Sequence, residues 1–216
     1  RLIEKYEMPV LGYTPEHNAY PYNYMIGSEA QRRDAIDYLK LSLEMAKEMG
    51  AEFVLTSPAN GGYLATYDQL WSRLEKNIQE LGDYAAKLEI KLVVEALTPY
   101  ESNFFTRAND LVELFRRVDN PYVVGMCDIV PPFVQHESIM AYFDKLGNKM
   151  DHMHIIDGEN GSDTHLIPGE GNIPIKEMLY EMKRIGYDKT ATLELVTNYI
   201  NEPRFYAKRA IDNMRE

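Results

Sequence analysis

The sequence contains little that would suit it to an extracellular, membrane-bound or nucleic-acid-binding role. It has a single cysteine, Cys127, so no internal disulfide can form, which agrees with a reducing, cytoplasmic setting. No apolar run approaches the roughly eighteen residues that suggest a membrane span, and no charged-then-apolar leader pattern opens the chain. Basic residues are also scarce, with 23 Lys and Arg against 34 Asp and Glu and a formal net charge of −11. Binding a phosphate backbone needs clustered Lys and Arg, so this balance argues against a nucleic-acid partner. A small neutral or zwitterionic ligand suits it better. Linkers, repeats and low-complexity tracts are missing too, and the 216 residues fit one domain spanning 1–216. There is no initiator Met. The opening "RLIEKYEMPVLGYTP" starts in what reads as the last turns of a helix, which suggests that residues precede it and that the domain is N-terminally incomplete.

What is present is a rhythm of apolar runs and amphipathic stretches. Six β-branched, nearly continuous apolar runs predict strands: "MPVLGYT" from Met8, "EFVLTSP" from Glu52, "KLVVEAL" from Lys91, "YVVGMCDIV" from Tyr122, "HMHIID" from His152 and "ATLELV" from Ala191. Such runs belong to strands buried on both faces, as in a parallel sheet. Helices are predicted between them. Ser28 and Gln31 have capping-box spacing, Ile36, Leu39, Leu43 and Ala46 share a face, and Gly50 can take the left-handed stop. A second helix carries Leu70, Leu74, Ile78, Leu81, Ala85 and Leu88, and shorter ones follow over 111–118, 138–146, 175–185 and 203–214. Six βα units could form an open doubly wound sheet. A closed (β/α)8 TIM barrel has eight strands and typically about 250 residues, so a barrel lacking its first two strands accounts for both the count and the length. The edge left by missing strands would invite association, and a homo-oligomer is expected.

In a parallel barrel the chemistry sits at the C-terminal ends of the strands. Glu95, Asp128, His154 and Glu194 fall there, each on a separate predicted strand. Burying a charge is costly unless it is paired or coordinates a cation. Taken singly, each acidic strand end is equally well explained as an ion pair or as a solvated group at the mouth. Together the four supply a ligand set with no comparable density of Lys or Arg at strand ends to pair them. That set suits a hard or borderline divalent ion, Mn2+, Co2+, Mg2+ or Zn2+, and the residues alone do not choose among them. Other candidates carry less weight. His152 shares a face with His154 but lies deeper, where a core or supporting role fits. His165 stands before "PGEG", a rigid turn, and is either exposed or reaches a substrate hydroxyl. His17 and His136 read as loop or surface residues, and Cys127 as packing. Glu101 could bind a hydroxyl or cap the following turn.

The order Glu, Asp, His, Glu on the last four strands, with "HMHII…PGEG" and a Glu on the final strand, resembles the xylose-isomerase-like barrel superfamily, which holds sugar isomerases, ketose 3-epimerases and endonuclease IV. The strings "GYTPEHNAYPYN", "EALTPYESN", "YFDKLGNK", "SDTHLIPGEG" and "ELVTNYINEPRFYA" extend the resemblance over nearly the whole chain, from about Met8 onward. The resemblance implies that Glu95, Asp128, His154 and Glu194 bind the divalent metal and that Glu95 and Glu194 are the acid/base pair. It also implies that Glu101 contacts substrate. Two departures from the free-ketose enzymes stand out: Pro131 replaces a histidine three residues after the metal Asp, and His165 replaces a substrate-binding arginine. The implied activity is therefore metal-dependent inversion at C3 of a ketosamine, a small-molecule sugar substrate, with His165 as a substrate contact. A free-ketose 3-epimerase or sugar isomerase is the alternative. An endonuclease reading is disfavoured by the net charge and the scarcity of histidines, and a sugar-binding barrel without turnover is the non-enzymatic alternative.

Overall fold

The computed structural model describes residues 2–159, 161–196 and 199–216. These residues form two compact units, 1–125 and 126–216. The short helix α1 (Leu2–Tyr6) opens the first unit, followed by β1 (Gly12–Tyr13), β2 (Phe53–Thr56), β3 (Lys91–Val94) and the first half of β4 (Val123–Asp128). Each strand pairs in parallel with the next: Gly12 with Phe53, Thr56 with Val94, and Val94 with Gly125. Parallel neighbours need crossovers, which α2 (Glu29–Glu48), α3 (Tyr67–Leu88) and α4 (Ala108–Arg117) supply.

The helix signals are realised in detail. Ser28 Oγ accepts the Gln31 N–H at 3.3 Å, and Gln31 Oε1 accepts the Ser28 N–H at 2.8 Å, closing the expected capping box of α2. The predicted stripe Ile36, Leu39, Leu43 and Ala46 is buried, and Gly50 takes φ +76° as the chain leaves the helix. The same reciprocal cap, Thr66 with Gln69, starts α3, whose buried face runs from Leu70 and Trp71 to Ala85. Gly82 on α3 lies so close to β4 that an added Cβ would stand 2.4 Å from Val123 Cγ2.

The second unit holds the end of β4, α5 (Val130–Val134), α6 (Met140–Leu146), β5 (Met150–Ile155), α7 (Ile175–Ile185), β6 (Thr190–Leu193) and α8 (Pro203–Arg215). β5 pairs in parallel with β6, placing His152 opposite Thr190 and His154 opposite Thr192. Helix α5 has no counterpart in the sequence prediction. Its Pro131 and Pro132 lie in the first turn, where the missing N–H groups would have had no intrahelical acceptor. β2, β4 and β5 are buried at every residue, as their apolar runs predict. β6 differs, since Ala191 is exposed and its strand neighbours are half-buried.

Candidate active site

All four strand-end residues stand where the sequence predicts. In the first unit Glu95 directly follows β3, buried, with its N–H bonded to the Thr56 carbonyl at 3.0 Å. In the second unit Asp128 closes β4, His154 is the penultimate residue of β5, and Glu194 directly follows β6. The parallel register brings the last two together, with His154 Nδ1 3.1 Å from Glu194 Oε2.

His165 completes this cluster from an unforeseen direction. Its Nε2 lies 3.5 Å from Asp128 Oδ2 and 3.4 Å from Glu194 Oε2, and its Nδ1 lies 3.8 Å from Asp163 Oδ1. Burial alone would lower the His165 pKa, but the Asp128 and Glu194 carboxylates more than reverse that and raise it to about 11. Burial would likewise raise the Glu194 carboxyl, yet the imidazoles of His154 and His165 hold it well below the ordinary carboxylate range. The His165 imidazolium thus brings a single positive charge between two carboxylates, where a divalent cation would bring two. Asp128, His165 and Glu194 each offer a ligand atom, all within 4.8 Å of one another. One imidazole and two carboxylates at that spacing, with His154 against Glu194, fit a divalent cation of the oxygen- and nitrogen-binding type, provided that the incoming ion displaces the His165 proton. The other Asp128 oxygen accepts the Val130 N–H at 2.8 Å, which ties the carboxylate to the start of α5.

Two further residues hold this cluster in shape. His152 is gripped by the threonines of β6, with Nδ1 2.7 Å from Thr190 Oγ1 and Nε2 3.1 Å from Thr192 Oγ1. Its ring meets that of His154 edge-on, with centroids 5.4 Å apart. Burial, then the neighbouring His154, pulls the His152 pKa down to about 4, so the ring is neutral near pH 7. This matches the supporting place expected for it. Asp157 is the residue the sequence reading missed. Its buried carboxylate accepts four backbone N–H groups: Gly158 and Ile173 on Oδ1, both at 2.9 Å, and Gly169 and Gly171 on Oδ2, at 2.9 and 3.0 Å. Its own backbone exchanges two hydrogen bonds with Leu166, both at 2.8 Å, next to His165. A signal was available in "IIDGEN": an acidic residue at a strand end, followed by glycine, with the glycine-bearing "PGEG" corner downstream.

The remaining sequence candidates separate clearly. Glu101 caps the turn, its Oε2 accepting from Thr98 Oγ1 at 2.9 Å and from the Thr98 N–H at 3.2 Å. Cys127 is buried and its thiol donates to the Asp128 carbonyl, a packing role as expected. His136 is exposed. His17 lies on a loop, as expected, but is buried rather than on the surface. Among the described residues no helix is long and apolar enough to cross a membrane.

Residues 1–216 match the xylose isomerase-like TIM barrel family. The chain belongs to that family. The barrel reading of its βα order is borne out, and the open doubly wound alternative falls away. Fructoselysine 3-epimerase of Shigella flexneri is 48% identical over 214 residues, covering 99% of this chain and 78% of the relative. The expected enzyme class, a carbohydrate epimerase, agrees with that relative's name. Among solved structures of the fold, apo 3-keto-D-glucoside 4-epimerase YcjR from E. coli superposes with a TM-score of 0.84 at 14% identity, covering 99% of this chain and 81% of that one. The IOLI protein, crystallised with a binding zinc atom, gives a TM-score of 0.78 at 20% identity, covering 99% and 77%.

Proposed function

We propose that this family member is a metal-dependent sugar epimerase that inverts C3 of a ketosamine, interconverting fructoselysine and psicoselysine. The 48% identity to a fructoselysine 3-epimerase across 99% of the chain carries the reading. The grouping of Asp128, His154, His165 and Glu194 supports it.

A hydrogen on C3 of a ketose is acidic because the neighbouring C2 carbonyl can accept the charge left behind. Inversion needs one carboxylate on each face of that carbon. In our assignment Glu95 and Glu194 take these parts, one removing the C3 proton and the other returning a proton to the opposite face. Glu95, Asp128, His154 and Glu194 would hold the divalent ion, Mn2+ or Co2+ ahead of Mg2+ or Zn2+. When bound, that ion supplies positive charge to the oxygens on which negative charge develops. His154 and His165 keep Glu194 ionised, the state in which it can accept a proton, although the same lowering of its pKa weakens it as a base. Glu101 and His165 are assigned to substrate binding. The buried Pro131 has no side-chain hydrogen-bonding group to offer a free ketose, which favours the ketosamine. We further read the protein as a cytoplasmic, single-domain enzyme that self-associates and handles a small-molecule sugar.

The test is proton NMR of fructoselysine in D2O with Mn2+ or Co2+ and an EDTA control. Metal-dependent loss of the C3 signal with growth of psicoselysine resonances is expected. Exchange of fructose or psicose but not fructoselysine would transfer the assignment to free ketoses, and no exchange on any of them would remove it.

A further inference from the structure

His17 sits on the loop after β1, within the first unit, at the same end of the parallel strands as Ser57 after β2 and Glu95 after β3. In barrels of this kind substrates are bound at that end. The ring is 5% exposed, and its Nδ1 lies 2.7 Å from the Pro15 carbonyl oxygen. A carbonyl oxygen can only accept, so Nδ1 carries the hydrogen. Burial is the main influence on the His17 pKa and lowers it, outweighing Pro15 and Glu16, so the ring is neutral and Nε2 presents a lone pair. That lone pair is buried and no donor among the described residues reaches it. Buried acceptors in folded proteins almost always have a donor, so an exception calls for an outside one.

The loop is held in place. Ser57 Oγ donates to Asn18 Oδ1 at 2.9 Å, and Asn23 Nδ2 donates to the carbonyls of Asn18 and Asn60 at 3.3 and 3.1 Å. Both ends of β2's exit are therefore tied to the segment that carries His17, and the acceptor is preorganised.

We propose that His17 is a substrate-binding residue whose Nε2 accepts a hydrogen bond from the sugar substrate, from either a hydroxyl or an ammonium group. The inference rests on the epimerase reading and adds a contact on the first unit's rim to those assigned above.

The test uses the Mn2+-loaded protein and two substitutions. His17→Asn keeps a donor where Nδ1 stands and removes the acceptor, whereas His17→Gln extends an amide oxygen towards the position of Nε2. His17→Asn is expected to raise KM for fructoselysine about tenfold while changing kcat less than about threefold, with Mn2+ affinity and Tm unchanged and partial recovery in His17→Gln. Competitive inhibition by fructose and by lysine locates the donor: weakened fructose inhibition places it on the sugar, and weakened lysine inhibition on the ammonium. An unchanged KM in His17→Asn would mean that water fills the acceptor and would overturn the inference alone. Should that variant not fold, histidine 15N NMR of the wild type decides, since Nε2 of His17 must shift when fructoselysine is added and a static resonance overturns the inference. A wild type with no C3 exchange on any sugar would instead overturn the epimerase reading, and this inference with it.

Discussion

Replacing Asp157 by Asn tests whether one buried carboxylate organises the loop that delivers His165. The native side chain accepts four backbone N–H groups, two on each oxygen, and is 1% exposed. An amide keeps one acceptor oxygen and turns an NH2 group towards the other pair of N–H donors. Two charge-assisted bonds are lost, each worth about 1.5–3 kcal/mol, and two donor–donor contacts take their place. Because neighbouring bonds are not additive, the net loss is about 3–5 kcal/mol. For a chain of this length each kcal/mol moves Tm by about 2–4 °C, so Asp157→Asn should melt about 6–20 °C lower. Calorimetry gives the shift, and hydrogen exchange should show the Gly169, Gly171 and Ile173 amides opening faster. Gly171→Ala approaches the same hub from the other side, since its Cβ would stand 2.5 Å from both Asp157 Oδ1 and the Gly158 carbonyl oxygen. The double variant should lose clearly less than the sum of the two singles. A Tm within about 2 °C of wild type for Asp157→Asn, with those amides still slow, would refute the hub.

Three further outcomes follow from other parts of the molecule. Gly82→Ala sets a methyl 2.4 Å from Val123 Cγ2, where α3 meets β4, and should cost about 1–3 kcal/mol by urea denaturation; no loss would mean that the helix can step back freely. Glu80 on α3 bonds Arg33 at 2.9 Å and Lys40 at 2.6 Å on α2; mainly through Arg33, against a smaller burial effect and then with Lys40, its carboxyl is lowered to about 2. A lowered carboxyl pKa stabilises the fold above the unfolded value and loses that contribution as pH falls through the folded one. The roughly 0.5–1 kcal/mol expected of so exposed a pair should therefore vanish as pH drops from about 4.5 to about 2, and Glu80→Gln should flatten the Tm profile there. Glu194→Gln should weaken Mn2+ binding at least about tenfold by titration calorimetry and shrink the Mn2+-induced rise in Tm; unaltered affinity would remove Glu194 from the ligand set.

The parts of this protein legible in its sequence are those decided locally. Ser28 and Gln31 close their capping box within four residues, and Gly50 turns the chain where only a residue tolerant of positive φ does so cheaply. The apolar runs locate the strands because burial on both faces favours such a composition, most fully in β2, β4 and β5. Glu95, Asp128, His154 and Glu194 were legible for a related reason, as charges at the ends of buried strands must be accounted for by something nearby. The Thr66–Gln69 cap has the same local spacing as Ser28 and Gln31, whereas α5 is hidden by two prolines that usually mark a helix's end.

Loops obey different rules. Whether His17 is buried depends on Asn18 and Asn23 reaching Ser57 and Asn60, bonds between residues up to 39 positions apart that no local pattern encodes. His165 meets Asp128 and Glu194 because the chain after β5 doubles back, and Asp157 fixes that path by binding amides as far as 16 residues ahead. Loop groups that enter the candidate site are therefore placed by tertiary hydrogen bonds, and strand groups by register alone. It follows that substitutions at Asp157 or Gly171 should displace His165 while leaving the β5–β6 pair, and with it the 3.1 Å contact of His154 with Glu194, in place.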